Sequence, residues 1–209
     1  MNFSHVNTII IIVIKIIMKV TKNILCYSQY EFDELMRSKN WYDHPGVNCS
    51  AISICTPNDP DFEHWFKDDC HGTLLSVFNL DINDAGPFWF NEYASENYDK
   101  SLDYFLKGNL KMSNAYFNLT TDSYGAFIHV MNYEEAFDLV KWIDKRIRDF
   151  DNTIYIHCGA GASRSQGVVR YILDTYGNEF NIKTRDSNPC LTPNVHVTMM
   201  LKRAFRNLF

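Results

Sequence analysis

His157-Cys158 and Arg164-Ser165 bracket Gly159-Ala160-Gly161-Ala162-Ser163, a run of five residues of which four are Gly or Ala. Small side chains let successive main-chain N–H groups converge on one point, and such a concavity binds an anion. The apolar Thr153-Ile154-Tyr155-Ile156 before the run reads as a buried strand, and Ser165 to Tyr176 after it reads as a helix. A helix that begins there adds its positive N-terminal end to the same point. Cys158 in that field is expected to lose its proton easily. Arg164 brings a planar guanidinium that matches two oxygens of one anion, as a Lys would not. A thiolate, a cradle of amides and a fixed cation are what transfer of a tetrahedral phosphoryl group to sulfur requires.

A carboxylic acid is needed to protonate the leaving oxygen. Thr73 to Ile82 reads as a strand, because Phe78, Leu80 and Ile82 alternate with Asn79 and Asp81. Asn83-Asp84-Ala85-Gly86-Pro87 is the loop after it. Ligand and catalytic groups of open α/β sheets collect at such loops, so Asp84 is the first candidate. Asp81 is the alternative, and Asp122 stands closer in the chain, 36 positions before Cys158. His64, Asp68, Asp69, Cys70 and His71 include metal-ligand types, but their spacing matches no zinc pattern. They read as a polar loop or short helix that packs Trp65 and Phe66 inward.

His157-Cys158-(five residues)-Arg164-Ser165 resembles the signature loop of the cysteine-based protein tyrosine phosphatases. The Ala-Gly-x-Ser-Arg-Ser flavour is similar to the dual-specificity branch, including its compact bacterial and viral members. Leu80-Asp81-Ile82-Asn83-Asp84 also resembles the pattern that carries the family's general acid, with the acid at Asp84. The resemblance implies a phosphoric monoester hydrolase acting on phosphoproteins, tyrosine or dual-specificity, without metal or cofactor. Cys158 would be the nucleophile and form a cysteinyl-phosphate. Gly159, Ala160, Gly161, Ala162, Ser163 and Arg164 would hold the phosphoryl oxygens. Ser165 would assist departure of the sulfur, and His157 would orient the loop. Two other readings stand beside this one. A rhodanese-type sulfurtransferase also sets a Cys in a tight loop before a helix, and a non-catalytic module would bind phosphate with the same loop. Between Cys158 and Arg164 there is no Lys or Arg to neutralise additional phosphates, which favours a phosphoprotein over a polyphosphorylated lipid.

The elements that must position these groups alternate along the chain. Asn23 to Ser28 and Ala51 to Cys55 read as strands, and Tyr30 to Ser38 as a short helix between them. Asn132 to Arg148 carries the clearest amphipathic stripe, through Ala136, Leu139, Val140, Ile143 and Ile147. Val195 to Leu208 reads as a last helix, and Phe180 to Asn194 as irregular. The alternation predicts an α/β domain with a mostly parallel central sheet flanked by helices, spanning residues 18–209. Asp84 lies 74 positions before Cys158, more than compact relatives of the resembled family need. The excess, at about 88–127, is rich in Tyr, Phe and Asn and reads as an insertion, with one helix over Asp99 to Leu106. It is expected to be either a lid over the site or a helical annex packed on the body.

The 209 residues are 46% apolar, enough for a sizeable core, and a formal charge of −5 argues against a nucleic-acid partner. Six Cys without Cys-x-x-Cys pairing point to a reducing, cytoplasmic setting. Thr8 to Ile17 is apolar but too short to span a bilayer, and Lys15 interrupts it. Residues 1–17 are read as a loose tail or an extension ahead of a start at Met18, with no membrane partner.

Overall fold

The computed structural model describes residues 19–38, 49–57, 59, 64, 74–84, 92–117, 128–149, 152–185 and 192–208. In chain order the elements are β1 (Thr21–Ser28), α1 (Gln29–Ser38), β2 (Cys49–Cys55), β3 (Leu74–Asp81), α2 (Glu92–Leu106) and α3 (Leu110–Phe117). They continue with α4 (Tyr133–Asp149), β4 (Thr153–Cys158), α5 (Arg164–Tyr176), β5 (Asn181–Thr184) and α6 (Val195–Leu208). The strands form one sheet in the order β3-β2-β4-β1-β5, and every neighbouring pair is parallel.

β4 occupies the centre, with β1 on one side and β2 on the other. Its last five residues are all buried, as two covered faces demand. The chain leaves β1 toward β2 and leaves β4 toward β5, so the two connections cross the sheet in opposite senses. Right-handed crossovers then put their helices on opposite faces. The core clusters agree. Phe32 and Met36 of α1 pack with Ala51, Val77 and Tyr155 on one face. On the other, Ile24, Ile52, Ile54 and Ile156 meet Leu139, Ile143, Val168, Ile172 and Met200 from α4, α5 and α6. Neighbouring strands whose connections part in this way leave a crevice at their carboxyl ends, and Cys158 is the last residue of β4.

α4 begins with a reciprocal cap. The Asn132 side chain accepts from the Glu135 N–H at 3.0 Å, and Glu135 accepts from the Asn132 N–H at 2.9 Å. The aromatic stretch contributes two helices instead of one, α2 and α3. Tyr98 and Phe105 of α2 are buried in the larger core, and Tyr104 stacks on Tyr116 of α3 with centroids 5.5 Å apart. Trp89, Tyr124 and Asp122 lie outside the described residues, as do residues 1–18 and the 65–71 segment.

One strand has no counterpart in the sequence pattern. Asn181–Thr184 falls in the stretch that reads as irregular, yet it pairs with β1 as the sheet's edge. Its four residues are exposed or half-exposed and show no apolar alternation. Its pairing comes from the open edge of β1 and not from a buried face of its own. Among the described residues, no helix is long and apolar enough to cross a membrane.

Candidate active site

The loop from Gly159 to Ser163 is held from outside by its carbonyls. The Gly159 carbonyl accepts from the Gln29 N–H at 2.9 Å, where α1 starts. The Gly161 carbonyl accepts from Gln166 Nε2 at 3.3 Å, and the Ser163 carbonyl accepts from the N–H groups of Gly167 and Asn194 at 2.9 and 3.1 Å. Among the described residues, the N–H groups of Gly159 through Ser163 have no acceptor at all. Gly161 is buried, Gly159, Ala162 and Ser163 are half-buried and Ala160 is exposed, so this run of free donors is open to an anion from solvent. Gly161 makes the curvature possible. Its φ is +68°, and a Cβ there would lie 2.6 Å from the backbone of Tyr27 and Ser28.

The helix end is left open as well. Ser163 holds the N-cap position of α5, but its side chain makes no capping bond. Its hydroxyl instead donates to Asp84 Oδ1 at 2.6 Å. The first-turn amides of α5 therefore keep their positive end toward the loop.

Arg164, the first residue of α5, is 6% exposed. Its Nη1 donates to the Ile82 carbonyl at 2.6 Å and to Thr56 Oγ1 at 3.0 Å. Those bonds tie the guanidinium to the carboxyl ends of β3 and β2. Its Nε is buried and has no partner among the described residues. A guanidinium fixed through one nitrogen, with another N–H unsatisfied, is prepared to accept an oxyanion.

Cys158 is 2% exposed at the floor of the loop. Ser165 Oγ lies 3.1 Å from its sulfur and also 3.1 Å from Cys26 Sγ, which donates to it. Burial pushes the Cys26 thiol up to about 11, so it stays protonated and remains a donor. Cys26 Sγ also lies 3.5 Å from the Gly161 carbonyl, so its one proton has two acceptors, and Ser165 Oγ stands within reach of both sulfurs. Sequence reasoning gave Cys26 no part in the site. Its only signal was a polarisable residue in a strand that the topology brings next to β4.

The acid candidates separate by their partners. Asp84 is exposed, and besides Ser163 its Oδ1 accepts from Asn194 Nδ2 at 2.9 Å. Two donors on Oδ1 leave Oδ2 as the atom to carry a proton. Asp84's loop is clamped: the Asn83 N–H donates to the His129 carbonyl, and the His129 N–H donates to Asn83 Oδ1. His129 in turn meets Glu135 at 2.6 Å, which raises its pKa above the ordinary histidine value. Asp81 turns instead to His64 Nε2 at 2.9 Å. Asn194 is a second site residue that sequence left unmarked. It joins the Gly159–Ser163 loop to Asp84 and caps α6 through the Val197 N–H.

His157 departs from its expected part as orienter of the loop. Its ring nitrogens have no hydrogen-bond partner among the described residues. The ring stacks on Phe32 at 4.2 Å, on the α1 side of the sheet. Alternation along β4 sends its side chain to the face opposite Cys158. Desolvation, then the nearby His64 and Arg164 charges, lower its pKa to about 3, so it is neutral and packs as an aromatic. No family model matches this chain, and no match is found among curated proteins or solved structures.

Proposed function

We propose that this chain is a cysteine-dependent phosphoprotein phosphatase, of tyrosine or dual specificity. The observation that carries the reading is the loop itself. Three of its carbonyls are taken by neighbouring donors, its amides lack acceptors among the described residues, and the buried Nε of Arg164, six residues after Cys158, has no partner among them.

In this reading the Cys158 thiolate attacks phosphorus, and the ester P–O bond breaks as the S–P bond forms. Asp84 passes its proton to the leaving oxygen, so the leaving group departs as a neutral alcohol or phenol. The loop amides and Arg164 hold the equatorial oxygens where charge spreads, and their geometry is set before reaction. In the second step water attacks phosphorus, Asp84 takes a proton from it, and the S–P bond breaks to release inorganic phosphate. The Ser165 hydroxyl donates to the departing sulfur. The reading implies a phosphorylated protein as substrate and a reducing compartment such as the cytoplasm, where a catalytic thiolate survives.

Hydrolysis of p-nitrophenyl phosphate, lost in Cys158→Ser, is the expected result. Thiocyanate formation from thiosulfate and cyanide would replace this reading with a sulfurtransferase. Phosphate binding without turnover of either substrate would replace it with a binding module. The partner bonds of Asp84 favour the hydrolase over both, because neither alternative needs an acid beside the loop.

A further inference from the structure

α5 and α6 run side by side away from the phosphate loop. The Thr198 hydroxyl donates to the Gly167 carbonyl at 3.0 Å near their beginnings, and Lys202 pairs with Asp174 farther along. Between them and the end of α2 opens a groove of about 580 Å³. Its near wall is Thr192-Pro193, the two residues before Asn194, which itself bonds Asp84. Along the chain, that wall therefore runs directly into a residue of the candidate active site.

Its charge opposes that of the whole molecule. Arg170, Lys202, Arg203 and Arg206 line it against a single carboxylate, Asp174, in a chain whose formal charge is −5. Arg170 and Lys202 share Asp174. Among the described residues Arg203 and Arg206 make no ion pair, and Arg203 Nε is buried without a hydrogen-bond partner. The groove is also apolar where it is open. Leu106 and Val195 are 66% and 77% exposed along it, and Met199 lines it with them.

We propose that this groove docks an acidic segment of the phosphoprotein substrate, with one large apolar side chain against Leu106, Val195 and Met199. The proposal rests on the phosphatase reading for the identity of the occupant. Cations that face an apolar wall without acid partners fit carboxylates flanking an apolar anchor. The span sets the register. Arg170 lies six residues beyond Arg164 on α5, about 9 Å at the helical rise. An extended peptide covers that distance in about three residues. The acidic segment thus begins about three to five residues from the phosphorylated side chain.

The test has two independent arms. In the first, phosphotyrosyl peptides carry either Glu, Asp and Phe or Lys, Ser and Phe at three to five residues from the phosphate. The acidic peptide is expected to show about tenfold higher kcat/KM, through KM, at low salt. R203E/R206E should erase that preference and leave p-nitrophenyl phosphate hydrolysis unchanged. R203Q/R206Q, a milder change on the same helix, should weaken it. In the second arm, a fluorescein-labelled acidic peptide without phosphate is titrated by anisotropy. Its binding should vanish in R203E/R206E and persist in C158S. Absence of p-nitrophenyl phosphate turnover would sink the phosphatase reading alone, and the anisotropy arm would then decide the groove. Equal binding of acidic and basic peptides, or binding indifferent to both arginine variants, overturns the proposal. So does a dimer that dissociates in R203E/R206E, or preferential binding of that face to phosphatidylserine vesicles.

Discussion

Cys158 and Cys55 end neighbouring strands, β4 and β2, and both are free and buried. Each has a histidine close by: His157 precedes Cys158 in the chain, and His64 Nδ1 lies 3.4 Å from the Cys55 sulfur. The residues after the two cysteines differ. After Cys158 come five small residues whose amides have no acceptor among the described residues, then an uncapped helix start. After Cys55 come Thr56 and Pro57, and proline has no N–H to offer. The Cys55 carbonyl is taken by the Ile82 N–H at 3.0 Å, and His64 closes a bonded cluster with Ser53 and Asp81. Burial, with Asp81 adding to it, pushes the Cys55 thiol up to about 11. A strand-end position and a nearby histidine therefore do not make a reactive sulfur. What sets Cys158 apart is the run of donors after it, which have no acceptor among the described residues.

The sharpest way to break the contrast is to exchange the two sulfurs' roles. Cys158→Ser should cut aryl phosphate turnover by about 10⁴-fold or more, since a serine in that field is a poor nucleophile. Cys55→Ser should leave turnover within about twofold. A large loss in the second variant and a small one in the first, read from steady-state rates, would reverse the assignment.

Arg164→Lys should cost about 10²–10³-fold in kcat. A lysine retains charge but cannot hold the Ile82 carbonyl through one nitrogen and an oxyanion through another. Phosphate protection against thermal unfolding should weaken in parallel. Near wild-type kcat in this variant would mean that the amides alone suffice.

Asp84→Asn should lower turnover by about 10²-fold, and the loss should grow with the basicity of the leaving oxygen. It should be smallest for p-nitrophenol and largest for an alkyl alcohol, as a rate series across phosphate esters would reveal. A loss independent of the leaving group would assign Asp84 to structure alone.

Thiol labelling gives the finest comparison. The folded Cys55 and Cys26 thiols are raised to about 11, so each is a thiolate at only about 10⁻⁴ occupancy at pH 7. Iodoacetate at pH 7, followed by peptide mass mapping, should modify Cys158 well before either. Reactivity of Cys55 and Cys26 should climb about tenfold per pH unit up to that value. Equal labelling of Cys158 and Cys55 at pH 7 would erase the distinction between the two strand ends.

Much of the fold and the loop was legible in the residues. The apolar run of β4 placed it at the centre of a parallel sheet, because a strand covered on both faces cannot alternate. The stripe through Leu139, Val140 and Ile143 set α4, and the spacing from Cys158 to Arg164 marked the loop. These are short-range features, written in periodicity and small-residue runs within one turn or one strand. β5 was not legible, because four exposed residues carry no periodicity and only the free edge of β1 defines them.

Which carboxylate faces the loop was decided by tertiary structure alone. Asp81 and Asp84 are three positions apart, yet one meets His64 and the other meets Ser163 and Asn194. The same holds for Cys26 behind Ser165, and for Arg164 anchored on Ile82 and Thr56. Sequence determined the loop and the sheet that carries it, since both are made of local choices. The partners came from a strand order that brings residues 26, 82, 84 and 194 around one point, and no local pattern encodes that order.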